Sequence, residues 1–435
     1  MPRLFKEFNH AVALQAVTKC LEDKWRRNDV RTYIEEWAGY SRYELLENEL
    51  ENGYLSRDFK QVILESLACS TEDMVIGIQH GIDPDFDPVS THKRVDGVNG
   101  KVRDIAYLCI RHQVLGHAVK IGLEPLLKAR LLPSQHASIP KHGQTALARQ
   151  IRRMLNRKLG IKMFVKTDCT SAYESTAYDA CIRLIQKEIP RAKLLIACLR
   201  VLEKYAPGGH LIIGGYLDAW LFNFAMSYGL RYILSLRKSR RGNKYPLVIR
   251  AVSYMDDLLL LGSNRTALKQ AIEQLKAWLW ATYHIKMRTT TDVIRLYSLK
   301  EEKEHRHKET PAKRSVPMID MGGYKIAHGF ITIRRKNMKR IIRTFDRAWT
   351  EYRETGTVKR QRACQIVSRN GMIANSWSYQ FSHAHHVYRL MRIARKVQGY
   401  WSREDQRKRK EKIADVVQRH RKQRASSTGC CVPAS

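Results

Sequence analysis

Residues 251–262 read Ala-Val-Ser-Tyr-Met-Asp-Asp-Leu-Leu-Leu-Leu-Gly, AVSYMDDLLLLG. Two adjacent carboxylates, Asp256 and Asp257, interrupt an otherwise apolar run. Charge inside such a run is costly unless something compensates it. The flanking residues suit strands, so the stretch reads as two extended segments with the acids at a hairpin tip. Ala267 to Leu279 follows as a helix lying on a sheet, because Leu268, Ile272, Leu275 and Leu279 share one face. Upstream, Ile161–Asp168 (IKMFVKTD) is a second apolar strand ending in acid. If the two are sheet neighbours, Asp168 joins Asp256 and Asp257. Clustered carboxylates repel unless a cation lies among them. A pair of Mg²⁺ ions held by aspartates is a common device for moving a phosphoryl or nucleotidyl group. Mg²⁺ takes few protein carboxylates and completes its shell with substrate phosphates, which suits three aspartates. The plainer reading is a turn that happens to contain Asp-Asp.

Composition bounds the partner. The chain has 435 residues, enough for two to four lobes. It carries 78 Lys+Arg against 42 Asp+Glu, a formal charge of +36. Such a charge on a chain of ordinary apolar content points to a polyanion, and first to nucleic acid. A ribosome-associated or merely adhesive basic protein is the bland alternative. No Lys/Arg-faced anchor helix argues for a membrane surface. The nine cysteines are scattered without a CxxC pair, which argues against a zinc ribbon and for free thiols in a reducing cytoplasm. The opening MPRLFKEFNHAVALQ lacks an apolar signal core. The longest apolar stretch, Leu211–Ile233, holds Asp218, three glycines and Arg231, so it reads as a core helix and the loop leading into it.

Along the chain, residues 1 to about 80 show helical spacing. Gly81–Pro88 (GIDPDFDP) breaks it as a loop or linker. Residues 92–108 read as a basic hairpin turning at Asn99-Gly100. Helices are expected at Arg111–Leu132, at 147–159 with a basic amphipathic face, at Ser175–Ile189 and at Leu217–Leu236. The run RKSRRGNK, residues 237–244, carries five positive charges in eight and reads as an exposed turn. Residues 300–314 read as a charged flexible loop. MIDMGGYKIAHGFITIRRK reads as two short strands turning near His328-Gly329. From 336 onward the chain is helical and basic, and its last dozen residues read as disordered. This order gives an α+β fold with a mostly antiparallel sheet.

Tyr-Met-Asp-Asp between two hydrophobic strands resembles polymerase motif C of reverse transcriptases. Other segments match that family in the expected order, so roughly residues 90–400 resemble a prokaryotic retroelement-type reverse transcriptase, of the unclassified, defence-associated or diversity-generating-like group. GKVRDI resembles the fingers segment that touches the incoming triphosphate, which implies nucleotide contacts for Lys101 and Arg103. SIPKHGQTAL is similar to the next fingers block, with Gly143 closing a turn. FVKTDCTSAYES resembles motif A. It implies metal ligation by Asp168 and by the carbonyl of Cys169, and a steric gate at Tyr173 that blocks a ribose 2′-OH and selects dNTPs. GGHLIIGGYLDAWLFN resembles motif B, with Gly214 at the nucleotide. It departs from the Gln-Gly…Ser-Pro form, showing Ile213-Gly214 and Asp218-Ala219 instead, which puts the usual template contacts and fidelity in doubt. Lys286 falls near the motif D lysine that protonates pyrophosphate. MGGYKI resembles the primer grip, with Gly323-Tyr324 in the turn. SRNGMIANSWSY is similar to a thumb helix in the minor groove of an RNA–DNA hybrid, with Trp377 either there or in the core.

The resemblance implies a right-hand polymerase. The expected parts are a helical extension (1–88), fingers (89–160), a palm with an antiparallel sheet (161–335), a basic helical thumb (336–425) and a disordered tail (426–435). It implies two Mg²⁺ ions on Asp168, Asp256 and Asp257. Implied partners are a dedicated RNA template encoded nearby, an RNA–DNA hybrid, dNTPs, and an accessory protein or second copy. The setting is the bacterial cytoplasm, with no membrane partner. No RNase H, integrase or endonuclease zinc motif is recognised. Antiviral defence is the first role this suggests, ahead of diversification or a retron-like role. The rivals are a non-catalytic maturase-like RNA platform and template-independent or protein-primed synthesis. His383, His385 and His386 lack acidic or cysteine partners at useful spacing and read as a solvated helix face. His305 and His307 lie in a charge run.

Overall fold

A computed structural model describes residues 4–95, 102–157, 159–288, 292–308, 316–374 and 386–428. Four helices open the chain: α1 (His10–Leu21), α2 (Asn28–Ala38), α3 (Arg42–Asn52) and α4 (Arg57–Gln79). Their starts are written locally. Asn9 accepts from the Val12 N–H at 3.1 Å. Ser41 and Glu44 form a reciprocal capping box on α3. Ser56 accepts from Phe59 at the start of α4. These helices share a core with α5 (Ile110–Arg130), in which Ile34, Leu45, Leu67 and Val114 are buried. Before α5, residues 81–89 lack regular structure and β1 (Ser90–Val95) pairs antiparallel with β2 (Val102–Tyr107). The expected Asn99-Gly100 turn lies outside the described residues.

The central sheet follows. Short β3 (Gln135–His136) leads to α6 (Gln144–Asn156) and β4 (Met163–Thr170). Then come α7 (Ala172–Ser175), α8 (Tyr178–Glu188), α9 (Lys193–Lys204) and α10 (Tyr216–Ser235), an exposed ribbon of β5 (Arg237–Arg240) and β6 (Asn243–Pro246), and the hairpin β7 (Arg250–Tyr254) and β8 (Asp257–Gly262). α11 (Arg265–Tyr283), β9 (Lys286–Met287) and β10 (Ile294–Arg295) complete the layer. Strands run in the order β10-β4-β8-β7-β3, with β9 also on β4. All these pairings are antiparallel except β3 with β7. The pleat sorts the side chains. Val165, Cys169, Leu258 and Leu260 face a core built with α5, α8, α9, α10 and α11. Phe164, Val252, Leu259 and Leu261 face the opposite way, onto α6 and the C-terminal elements. Leu268, Ile272, Leu275 and Leu279, expected on one face of α11, are all buried.

The rest comprises α12 (Leu299–Lys308), β11 (Ile319–Met321), β12 (Tyr324–Ile326), β13 (Ile331–Ile333), α13 (Arg335–Thr355), α14 (Arg360–Ala374) and α15 (Val387–Thr428). The architecture is α+β, as expected. Four local expectations are corrected. Residues 237–244 form a paired ribbon with its turn at Arg241-Gly242, not a bare turn. Residues 299–308 are helical: Ser298 and Glu301 cap the helix reciprocally, and buried Glu302 accepts from the His328 and Gly329 N–H groups. The 319–333 stretch makes three strands rather than two. The terminal helix runs to Thr428, past the expected start of a disordered tail at 426. Among the described residues no helix is long and apolar enough to cross a membrane.

Candidate active site

Adjacent strands β4 and β8 bring the acids to one end of the sheet. Their register sets Asp168 directly opposite Asp257. Directly opposed residues project from the same face, so both carboxyls stand on the face away from buried Val165, Thr167 and Cys169. Tyr254 pairs with Asp257, which leaves Met255 and Asp256 as a two-residue turn. Met255 takes the left-handed conformation at φ 52°. Two bonds pin the turn: Met255 N–H donates to the His136 carbonyl at 3.2 Å, and Cys169 N–H to the Asp256 carbonyl at 2.9 Å.

The acids are not buried as their apolar flanks suggested. Asp168 and Asp257 are about one-third exposed, and Asp256 reaches solvent at the tip. Asp256 nevertheless titrates above the usual carboxylate range. The protein crowded around it contributes most, followed by the charges of Asp257 and Asp168, with the Arg103 charge in opposition. Each of the other two has a cation. Lys166 Nζ lies 3.0 Å from Asp257 Oδ1, and Arg288 Nε lies 3.3 Å from Asp168 Oδ1. Arg288 also donates its backbone N–H to the Asp168 carbonyl at 3.0 Å. The three carboxylates are not gathered around one point. Among the described residues the one group of three His/Cys/Asp/Glu donors within 4.8 Å is His10, Cys69 and Glu72, far from this sheet end in sequence. Closing the aspartates on a cation therefore requires the Lys166 and Arg288 pairs to exchange partners.

Lys166 and Arg288 were missed in the sequence. Lys166 had a signal, because it lies two residues before Asp168 and so on the same strand face. Arg288 had none in its own stretch; a pairing between β9 and β4 delivers it.

The other expected residues divide. Tyr173 follows a left-handed Ser171 (φ 46°) and stacks on Phe222 at 5.6 Å. Its phenol is pushed up by burial, then by the charges of Asp218 and Asp256, so it borders the acidic end. Gly214 has φ +109°, and a Cβ there would meet the Ala106 carbonyl at 3.0 Å. The Ala106 N–H donates to the Ile213 carbonyl at 2.9 Å, so the β1–β2 hairpin docks on this loop. Arg103 is exposed on β2, with its charge felt at Asp256. Asp218 is buried and accepts from the Ile212 N–H at 2.8 Å. Gly143 is the N-cap of α6.

The Cys169 thiol faces the core and is pushed up by burial, so only its backbone is available as a ligand. Lys286 is exposed, with its ammonium 5.6 Å from the Trp280 ring centroid. The Gly323-Tyr324 turn is shifted by one residue. Gly322 and Gly323 take positive φ, while Tyr324 opens β12 with a ring only 1 % exposed and its hydroxyl 3.5 Å from Thr145 Oγ1. Tyr324 is thus a packing residue between β12 and α6. His386 stacks on Trp349 at 3.8 Å. Lys101, Trp377, His383 and His385 lie outside the described residues. No protein-family model matches the chain, and no curated protein matches it.

Proposed function

We propose that this chain is an RNA-directed DNA polymerase, extending a primer with dNTPs on a dedicated RNA template. The observation that carries the reading is the register of β4 and β8, which sets Asp168 opposite Asp257 with Asp256 in the adjoining turn. Three oxygen-donor groups on one sheet end suit a hard divalent cation such as Mg²⁺ in type and charge. Asp168, Asp256 and Asp257 would hold it. When bound, it supplies a lowered pKa for the attacking hydroxyl and charge compensation for the leaving pyrophosphate. The chain's own groups frame the substrate. Arg103 lends positive charge to the triphosphate side. The Tyr173 ring restricts the space for a ribose 2′-OH. In the reaction the primer 3′-oxygen forms a bond to the α-phosphorus, the bond from that phosphorus to the oxygen bridging it to the β-phosphate breaks, pyrophosphate departs with that oxygen, and the hydroxyl proton passes to water. The biological setting we propose is bacterial antiviral defence, a reading that rests on the resemblance at motif B.

A second reading has its own support. Lys166 and Arg288 already neutralise Asp257 and Asp168, as a chain that only binds RNA would need. Primer extension separates the two. The purified chain, an RNA template with an annealed DNA primer, dNTPs and Mg²⁺ should give extended DNA. Asp256→Asn should reduce the rate by on the order of 10³ or more, the loss expected when charge stabilisation worth several kcal/mol is removed. RNA binding without any Asp256-dependent synthesis would leave the binding platform as the function.

A further inference from the structure

The terminal helix α15 returns to the start of the chain. Ile413 and Val417 bury against Leu46 of α3. Tyr43 and His420 stack with ring centroids 3.4 Å apart. Arg421 Nε lies 3.0 Å from Glu47, and Arg409 makes two bonds to Glu49 at 2.6 and 2.9 Å. Between α2, α3 and α15 lies a cavity of about 320 Å³, with Arg26, Arg31, Arg42, Arg409 and Lys412 in its wall.

The charges in this cavity do not balance. Five cations line it, and among the described residues no carboxylate does; Glu49, 3 % exposed, lies behind the wall and pairs with three of them. Glu49 takes Arg31 at 2.6 Å, both Arg409 bonds, and Arg26 at 3.4 Å. A carboxylate has about four acceptor sites, so Glu49 has little capacity left. Arg31 is 4 % exposed, and its Nε, also buried, has no hydrogen-bond partner among the described residues. Burial pushes its guanidinium below the ordinary value; Glu49 opposes this, and the charges of Arg409 and Arg42 push it further down. Arg42 reaches only the Asn28 side chain, at 3.5 Å, and Lys412 has no ion pair among the described residues. The Arg31 Nε is closed off from the cavity, so the surplus open to a ligand is that of Arg42 and Lys412 beside the Glu49-paired arginines, and like charges gathered around one cavity repel until an anion arrives.

We propose that this clasp is a binding site for a small polyphosphate, of the size and charge of a nucleotide's phosphate chain. Several negative charges are needed to offset the surplus, which a single carboxylate or chloride does not supply. Guanidinium forks match phosphate oxygens in pairs. The volume is at the small end of ligand pockets, too small for a folded partner. Leu46, Ile413 and Val416 give it an apolar wall. Because its walls come from both ends of the chain, the bound anion ties α15 to the N-terminal helices. The site is separate from the carboxylates and does not depend on their reading.

Hydrogen–deuterium exchange with inorganic tripolyphosphate tests this, because it localises binding on a chain whose charge attracts anions everywhere. Backbone amides of 42–52 and 405–420 should slow in wild type, against a control with sodium chloride at matched ionic strength. The double variant R42A/K412A removes two exposed side chains, so its fold, checked by circular dichroism, should persist. Its apparent affinity at these segments should fall about tenfold per cation removed, the equivalent of one charge-assisted bond. Unchanged exchange in both segments, or equal protection in wild type and a folded double variant, would overturn the proposal.

Discussion

Asp218 shows how one residue answers to its surroundings. It is 4 % exposed, yet it is a carboxyl in the first turn of a helix dominated by apolar side chains. Its Oδ1 accepts from the Ile212 N–H, which folds the incoming loop back over the helix start. Gly215 makes this feasible, because a Cβ there would lie 1.9 Å from Asp218 Oδ2. Burial nevertheless dominates and raises the carboxyl from 3.8 to about 6. A folded-state value above the unfolded one means that the fold binds the proton more tightly. The resulting stability is fully present below pH 3.8 and is lost as pH rises through 6. Asp218→Asn keeps the accepting oxygen and discards the titration. Urea unfolding should give matching stabilities for variant and wild type near pH 4. At pH 8 the variant should be the more stable by up to about 3 kcal/mol. A wild type more stable at pH 8 would show that the helix start holds the ionised form. The sequence exposed Asp218 as a departure from the motif that its segment resembles; its bond to the backbone six residues earlier could be seen only once the loop was folded.

At the scale of elements, legibility followed length and apolar content. The segments Ile161–Asp168, Leu217–Leu236 and 251–262 were readable because each buries enough side chains to impose its period. β11 to β13 are three residues each, too short to display alternation, and so were read as two strands. Residues 300–314 were read as loop because charge hides a helix whose inward contact, among its described side chains, is mainly Glu302. The site divided in the same way. Strand register could be argued from two apolar runs ending in acid, whereas the Arg288 pair depends on β9 reaching β4 from the far side of α11. The β1–β2 hairpin meets the loop before α10 through one close approach, Gly214 against Ala106. Gly214→Ala would place a methyl 3.0 Å from a carbonyl oxygen at φ +109°. It should cost on the order of 1–3 kcal/mol and loosen β2. Faster amide exchange at Ala106, which donates to Ile213, is the local readout. An unchanged melting temperature with unchanged exchange there would mean that the hairpin is held elsewhere.

At the scale of the whole molecule, charge was plain in the sequence and its placement was not. A formal +36 is an argument for a polyanion partner but cannot say that Glu49 is bridged to Arg409 across 360 residues. Some of the cations are spent internally: Lys166 and Arg288 on the aspartates, Arg409 and Arg421 on α3. Many others, on α6, α13 and α15, remain exposed. Backbone phosphates engaged by such groups release condensed counterions, so affinity for nucleic acid must fall with salt as a power law. With six to ten phosphates engaged, binding of an RNA–DNA hybrid should weaken by about 10³–10⁵ between 50 and 200 mM salt. Titrations at several salt concentrations give that slope directly. Asp256→Asn should leave it unchanged, because it alters an acid that contacts no described cation by an ion pair and removes no phosphate contact. A slope near zero would mean that the exposed cations are not the binding surface, and that recognition runs instead through aromatic and polar contacts. An equal slope with lost extension would separate the two halves of the proposed activity: the basic exterior holds the hybrid, and the three acids at the sheet end act on it.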